Sequence, residues 1–298
     1  MSSFSLARYN GAFTDAELLQ QLREDARNFC AVHGAVMVLS DAESSYAHVP
    51  CTLLPLPLPR SVFTSSTELA PLMNFLYDRV ARDTAFLTEV LAPAARSDNF
   101  MAMLMRVLSL SERRGDAAGA VVGPLQPLAL TIARSDYMMD VDPVTGAVKP
   151  LQVEMNMIAS SFGCLSSRIA AMHRYVIAHN PKLRAQHGIE SAAVPANPAR
   201  EELAASMAAA IAAFAARHIG VHARSAEAAA AATAPLGASE KLHVLMVVQK
   251  GERNSADQRH LEYALWENHS VPMLRRSLDQ VRALSLLCAR CYGKNNID

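Results

Sequence analysis

Glu154 and Asn156 stand two residues apart in the run Gln152-Val-Glu-Met-Asn-Met157, where polar and apolar side chains alternate. In an extended strand that period puts Gln152, Glu154 and Asn156 on one face and Val153, Met155 and Met157 on the other. A carboxylate and an amide oxygen side by side suit a hard cation such as Mg2+, which takes one or two protein oxygens, several waters and substrate phosphates. The same alternation also fits the solvated face of an ordinary sheet. Ser160-Ser161, ahead of Phe162-Gly163, could present hydroxyls and backbone N–H groups to an anion at a helix start, or form a plain turn. Arg134 could fork onto a carboxylate or sit in a surface ion pair. Glu252, Asn254 and Gln258 could hold a zwitterion, the carboxylate taking an ammonium and the amides and helix N-terminus a carboxylate. Capping alone also accounts for Asn254. His173 and Arg174 read as structural. The chain has no Walker-type glycine loop, no Gly-x-Ser-x-Gly elbow and no His-rich metal motif. Spacing therefore supports a binding site for a polar, charged small molecule.

The elements that must position these residues follow from periodicity. The alternating run passes through Ala159–Gly163 into a helix with Leu165, Ile169, Met172 and Val176 at helical spacing. Upstream, Leu128–Ala133 reads as an apolar strand ending in Arg134, and Asp142-Pro-Val-Thr-Gly146 as a turn, so the two strands form an antiparallel hairpin with Arg134 near Glu154. Leu242–Gln249, apolar on both faces, then a helix capped by Asn254 with Asp257 at its acidic third position, then Val271–Leu274, make one βαβ unit. Its strand ends are where Glu252, Asn254 and Gln258 fall, as ligands do in such sheets. Elsewhere we expect a helix over residues 14–32, a strand over 35–39, an extended connector at Leu54–Pro59, and a helix over 66–91 that tolerates Pro71 only in its first turn and stops at Pro93. A methionine-rich helix over 98–110 would use Met101, Met103 and Met105 as core filler, and Arg113-Arg114 would decorate a helix end. Residues 199–218 form an alanine-rich helix, and 220–240 a flexible Ala-rich linker.

Lys+Arg and Asp+Glu both number 28, so the formal charge is zero, which argues against nucleic acid or an anionic membrane as a bulk electrostatic partner. No apolar run reaches the roughly 18 residues of a membrane span, and Met1–Ser5 lacks the form of a signal peptide. Five scattered cysteines (30, 51, 164, 288, 291) point to a reducing cytoplasmic setting. The Cys288-Ala-Arg-Cys291 spacing lacks a second pair and reads as coincidence.

Two separated blocks carry a resemblance. Arg134-Ser-Asp-Tyr-Met138, then Glu154-Met-Asn156-Met-Ile158-Ala-Ser-Ser161-Phe-Gly163, Ser167-Arg168 and His173-Arg174, form the first; Glu252-Arg253-Asn254, Asp257-Gln258-Arg259 and Arg275-Arg276 form the second. In that order they resemble the eukaryotic-type glutathione synthetases. The resemblance implies an α/β chain of ATP-grasp type, incomplete, with a helical N-terminal region and an inserted Rossmann-like parallel α/β substrate-binding domain. It implies that residues 1–219 hold the helical region and the first part of the ATP-grasp domain, and 241–298 the start of the substrate domain. It implies ATP-dependent ligation of γ-glutamylcysteine to glycine through an acyl phosphate, with Mg2+, by a cytoplasmic homodimer. Arg134, Ile158, Ala159, Ser160, Ser161, Glu252, Arg253, Asn254 and Gln258 would bind substrate, Glu154 would touch ATP, and Glu154 and Asn156 would ligate the metal. Ala159 stands where the family usually has serine, so one substrate hydroxyl contact is missing. After Arg276 the sequence departs from the family, and an Arg-Asp-Gly-Tyr segment, the ATP-binding lysines, a second magnesium glutamate and a Gly-rich lid do not appear. The 298-residue chain is accordingly expected to lack ligase activity alone. Its incomplete sheet would expose an edge and an apolar face, so marginal solubility is expected too. Another reading is a non-catalytic chain that keeps part of the dipeptide site or pairs with a full-length subunit. ADP release dependent on γ-glutamylcysteine and glycine would refute the expectation of inactivity.

Overall fold

The computed structural model describes residues 13–39, 45–114, 121–124, 126–157, 160–222 and 242–282. The chain divides into two compact units, one formed by Met1–Pro57 with Ser161–Asp298, the other by Leu58–Ser160.

In the first unit, helix α1 (Ala16–Val32) starts where Asp15 accepts a hydrogen bond from the Leu18 amide, the cap expected of an aspartate before an apolar-periodic run. Leu18, Leu22, Ala26 and Cys30 recur at helical spacing and bury against Leu165, Met172, Val176 and Ile177 of a later helix. Strands β1 (Val36–Val38) and β2 (Tyr46–His48) pair antiparallel. Gly34, at φ +70°, makes the bend into β1.

The second unit departs from the expected helix boundaries. Helix α2 (Arg60–Arg82) carries Pro71 in its interior, not its first turn. The helical run breaks at Asp83, whose carboxylate accepts from the Phe86 amide and starts helix α3 (Thr84–Ser97), and Pro93 lies inside α3 instead of ending it. An aspartate cap at the break outweighs the proline signals. Helix α4 (Asn99–Leu110) lies where a helix was expected and is capped by Asp98, but none of its residues is buried, so its methionines are not core filler. Arg113 and Arg114 lie in a short strand, β3 (Glu112–Arg114), paired with β4 (Val121–Pro124), not at a helix end.

The expected strand over 128–133 is irregular; the strand begins where it was expected to end, as β5 (Arg134–Val141). It pairs antiparallel with β6 (Val148–Asn156). The turn between them is the expected one: Asp142 Oδ1 accepts from the Val144 and Thr145 amides, and Gly146 takes φ +68°.

Back in the first unit, α5 (Gly163–His179), the short α6 (Pro181–His187) and α7 (Ala199–His222) come next along the chain. Strand β7 (Val244–Val247) runs parallel to β8 (Met273–Arg276), with α8 (Ser255–His269) between them, which is the expected βαβ unit. Leu245 and Val247 are about half exposed, so β7 is covered on one face and not on both. Ala264, Leu265 and Met273 close a second small core with Ala204. Among the described residues no helix is long and apolar enough to cross a membrane. The expected linker over 220–240 lies, beyond residue 222, outside the described residues, as do Cys288 and Cys291.

Candidate functional site

The β5–β6 hairpin gathers four polar side chains. Register places Arg134 opposite Asn156 and Asp136 opposite Glu154. Arg134 donates through Nε and Nη2 to the two Asp136 oxygens, at 2.7 and 2.9 Å. Asn156 Nδ2 donates to Asp136 Oδ2 at 3.1 Å and to Glu154 Oε1 at 2.9 Å. The guanidinium holds the Asp136 carboxyl below its ordinary pKa, and Asp136 in turn raises that of Arg134. The Arg134–Asp136 pair is more than a third exposed on the arginine side, so it orients the guanidinium more than it stabilises the fold.

The expected face holds only in part. A bulge at Val153 shifts the register between Asp136 and Tyr137, and one extra residue puts the two ends of the strand on opposite sides. Gln152 therefore donates to Ser135 Oγ at 2.7 Å, on the face opposite Arg134 and Asp136. Asp136 takes the place in the cluster that Gln152 was expected to fill. Period-two alternation from Arg134 carries the signal for it. Beyond the strand, Ser160 Oγ donates to the Met157 carbonyl at 3.1 Å. Ile158 and Ala159 lie outside the described residues.

In the other unit, the N-terminus of α5 is already occupied. Asp257, buried on α8, accepts from the amides of Phe162 (2.6 Å), Cys164 (3.0 Å) and Leu165 (2.8 Å). The anion at this helix start is thus the protein's own carboxylate. Phe162 sits at φ +69° to bring its amide into line, a strained position for a bulky residue. Ser161, half-buried, precedes it.

Because Asp257 serves α5, it does not cap its own helix. Asn254 makes no side-chain cap either. Glu252 Oε1 instead accepts from the Asn254 amide at 2.7 Å, and Asn254 Nδ2 reaches Asp257 Oδ2 at 3.4 Å. That leaves Asn254 Oδ1 buried with no donor among the described residues, an acceptor the structure has not used. Gln258 Oε1 accepts from Arg275 Nη2 at 2.6 Å, and burial lowers the pKa of that arginine. Arg253 is tied through its backbone carbonyl to the Val38 amide at 3.0 Å. His173 and Arg174 are structural as expected, bonded to the carbonyls of Thr52 and Pro195.

The donors on the hairpin are two carboxylates and an amide, all oxygen ligands, which fits a hard cation better than a soft one. Among the described residues there is no group of three or more His, Cys, Asp or Glu, so such an ion would depend on water and ligand oxygens as well.

Comparison with known proteins gives a consistent result. The model of the eukaryotic glutathione synthase ATP-binding domain matches residues 16–286. A chloroplastic glutathione synthetase of Solanum lycopersicum is 29% identical over 92% of the chain and 44% of its own length. Glutathione synthetases of Dictyostelium discoideum and Xenopus laevis are 27% and 29% identical over 94% and 92% of the chain, and 52% and 50% of theirs. The chain thus spans about half the length of the curated relatives it matches. A glutathione synthetase-like effector of Globodera pallida, solved in its apo form, superposes with TM-score 0.63 at 17% identity, over 90% of this chain and 52% of that one. That last likeness speaks to the fold alone.

Proposed function

The chain belongs to the eukaryotic glutathione synthase family, and from that premise we propose that it supplies the dipeptide and metal side of an ATP-dependent ligase joining γ-glutamylcysteine to glycine. The observation that carries the reading is the hairpin cluster, where a forked guanidinium, two carboxylates and an amide share one face. Arg134 would hold a carboxylate of γ-glutamylcysteine, exchanging part of its fork from Asp136 to substrate. Glu154 and Asn156 would hold Mg2+, with Glu154 also facing ATP, and the bound ion would supply positive charge to phosphoryl oxygens. The unpaired Asn254 Oδ1, with Glu252, would take the ammonium of the glutamyl end, and Gln258 its carboxylate. Ile158–Ser161 and Arg253 would line the dipeptide.

In the proposed sequence the cysteinyl carboxylate attacks the γ-phosphoryl group, giving an acyl phosphate and ADP. The glycine amine then displaces phosphate. This chain's residues orient the attacking carboxylate and hold its charge. Finer parts of the proposal are the ATP-grasp fold with an inserted Rossmann-like domain, the layout 1–219, 220–240 and 241–298, a cytoplasmic setting and a homodimer.

Calorimetric titration of the chain with γ-glutamylcysteine tests the reading. Arg134→Ala and Asn254→Ala should each weaken binding about 10- to 100-fold, the range for losing a hydrogen bond to a charged group. Glu154→Gln should remove any Mg2+ dependence. Unchanged affinity in both alanine variants would overturn the assignment.

A further inference from the structure

Cys30 and Cys51 take no part in the hairpin cluster or in the Asp257 cap. Cys30 is near the end of α1, 1% exposed, in the first core, and Cys51, half-buried, packs against the same core. The two side chains interact, each thiol shifting the ionisation of the other. Both line a surface cleft of about 380 Å³ whose wall also includes Arg23, Glu24, Arg27 and His48. Two free thiols lining one cleft, one buried and one half-buried beside three basic side chains, form a pair with distinct roles.

We propose that Cys51 is a thiol-modification site for small anionic disulfides, and that Cys30 resolves the adduct to a Cys30–Cys51 disulfide. Interaction with Cys30 brings the Cys51 thiol down to about 7, against the effect of its burial and helped by His48. The same interaction pushes the Cys30 thiol up. Cys51, half-buried in the cleft while Cys30 is buried, is the sulfur an incoming disulfide can reach, and its thiolate is the nucleophile. It attacks one sulfur of the incoming disulfide, forms a mixed disulfide and expels the other half as a thiolate, which takes a proton from solvent. Cys30 then loses its proton and attacks the Cys51 sulfur, releasing the second half as a thiol. Two protein thiols are oxidised and one small disulfide is reduced to two thiols. Arg23, Arg27 and His48 favour a carboxylate-bearing partner over a cationic one. The bond would tie the end of α1 to the segment carrying Thr52, the acceptor for His173.

The test is exposure of the folded chain to oxidised glutathione, followed by alkylation and peptide mapping by mass spectrometry. The expected result is a cross-linked peptide joining Cys30 and Cys51, lost on treatment with dithiothreitol. Cys30→Ser should leave a persistent glutathione adduct on Cys51, and Cys51→Ser should leave Cys30 unmodified. Mapping of the unaltered chain decides the matter even if a variant melts early. Cys30 and Cys51 remaining reduced while Cys164, Cys288 or Cys291 is modified would overturn the proposal, as would an adduct on Cys30 in the Cys51→Ser chain.

Discussion

Asp257 caps a helix other than its own. Its two oxygens receive three amides of the α5 start while it sits 8% exposed. A carboxylate at a helix N-terminus gains from both the hydrogen bonds and the helix dipole. Asp257→Asn keeps the shape but turns one acceptor into an NH2 group facing an N–H. Since hydrogen bonds to charged groups are worth about 1.5–3 kcal/mol and a cap about 1, we expect the substitution to cost roughly 2–3 kcal/mol. Urea unfolding followed by circular dichroism measures it, and a loss under about 0.5 kcal/mol would mean water replaces the cap. None of this was legible in the sequence. Asp257 stands three positions after Asn254, at the spacing of a local capping box, and nothing local signals a partner 92 to 95 positions away. Asp136 was legible in principle, because it shares a strand face with Arg134, whereas the bulge at Val153 that removes Gln152 from the cluster has no glycine to announce it.

Elements with a local chemical signature were readable, and those set by tertiary contact were not. The β5–β6 hairpin follows from alternation and an Asp-Pro-Val-Thr-Gly turn, and the βαβ unit from two apolar runs flanking a periodic helix. The α2 and α3 boundaries failed because proline was weighted above Asp83. Two histidines join elements in a way that makes stability depend on pH. His173 on α5 donates Nε2–H to the Thr52 carbonyl at 2.8 Å, and His260 on α8 donates to the Gly34 carbonyl at 2.9 Å. Burial lowers both pKa values below 6.5. Between the folded values and 6.5 the unfolded chain binds more protons than the folded one, so stability is whole above 6.5 and is lost as pH falls through the folded values. Urea midpoints taken between about pH 7.5 and 5.5 should drop steadily, as expected when histidine is the titrating group. His173→Gln with His260→Gln keeps an N–H donor at each carbonyl without a titrating ring, and should flatten that dependence. An equal slope in the double variant would assign the effect elsewhere.

Across the whole molecule, the described residues leave much apolar surface uncovered. Only Val62 is buried on α2, and no residue of α3 or α4 is. Leu72, Phe75 and Leu76 on α2, Phe86 and Val90 on α3, and Phe100, Val107 and Leu110 on α4 are each between 47% and 68% exposed. Each sheet has two strands, so among the described residues every strand has an open edge. Monomers rarely expose apolar patches beyond a few hundred Å², and open edges invite pairing with other chains. The expectation of marginal solubility therefore rests on the helical surface of the second unit as well as on open strand edges. We expect the purified chain to bind an environment-sensitive dye such as anilinonaphthalene sulfonate while folded, and to form larger species in light scattering as its concentration rises. Leu72→Lys with Leu76→Lys, both on exposed positions one turn apart, should reduce both signals without lowering the melting temperature, because neither side chain contributes to a core. A monodisperse monomer that melts cooperatively and binds no dye would show that this surface is tolerated in water as it stands.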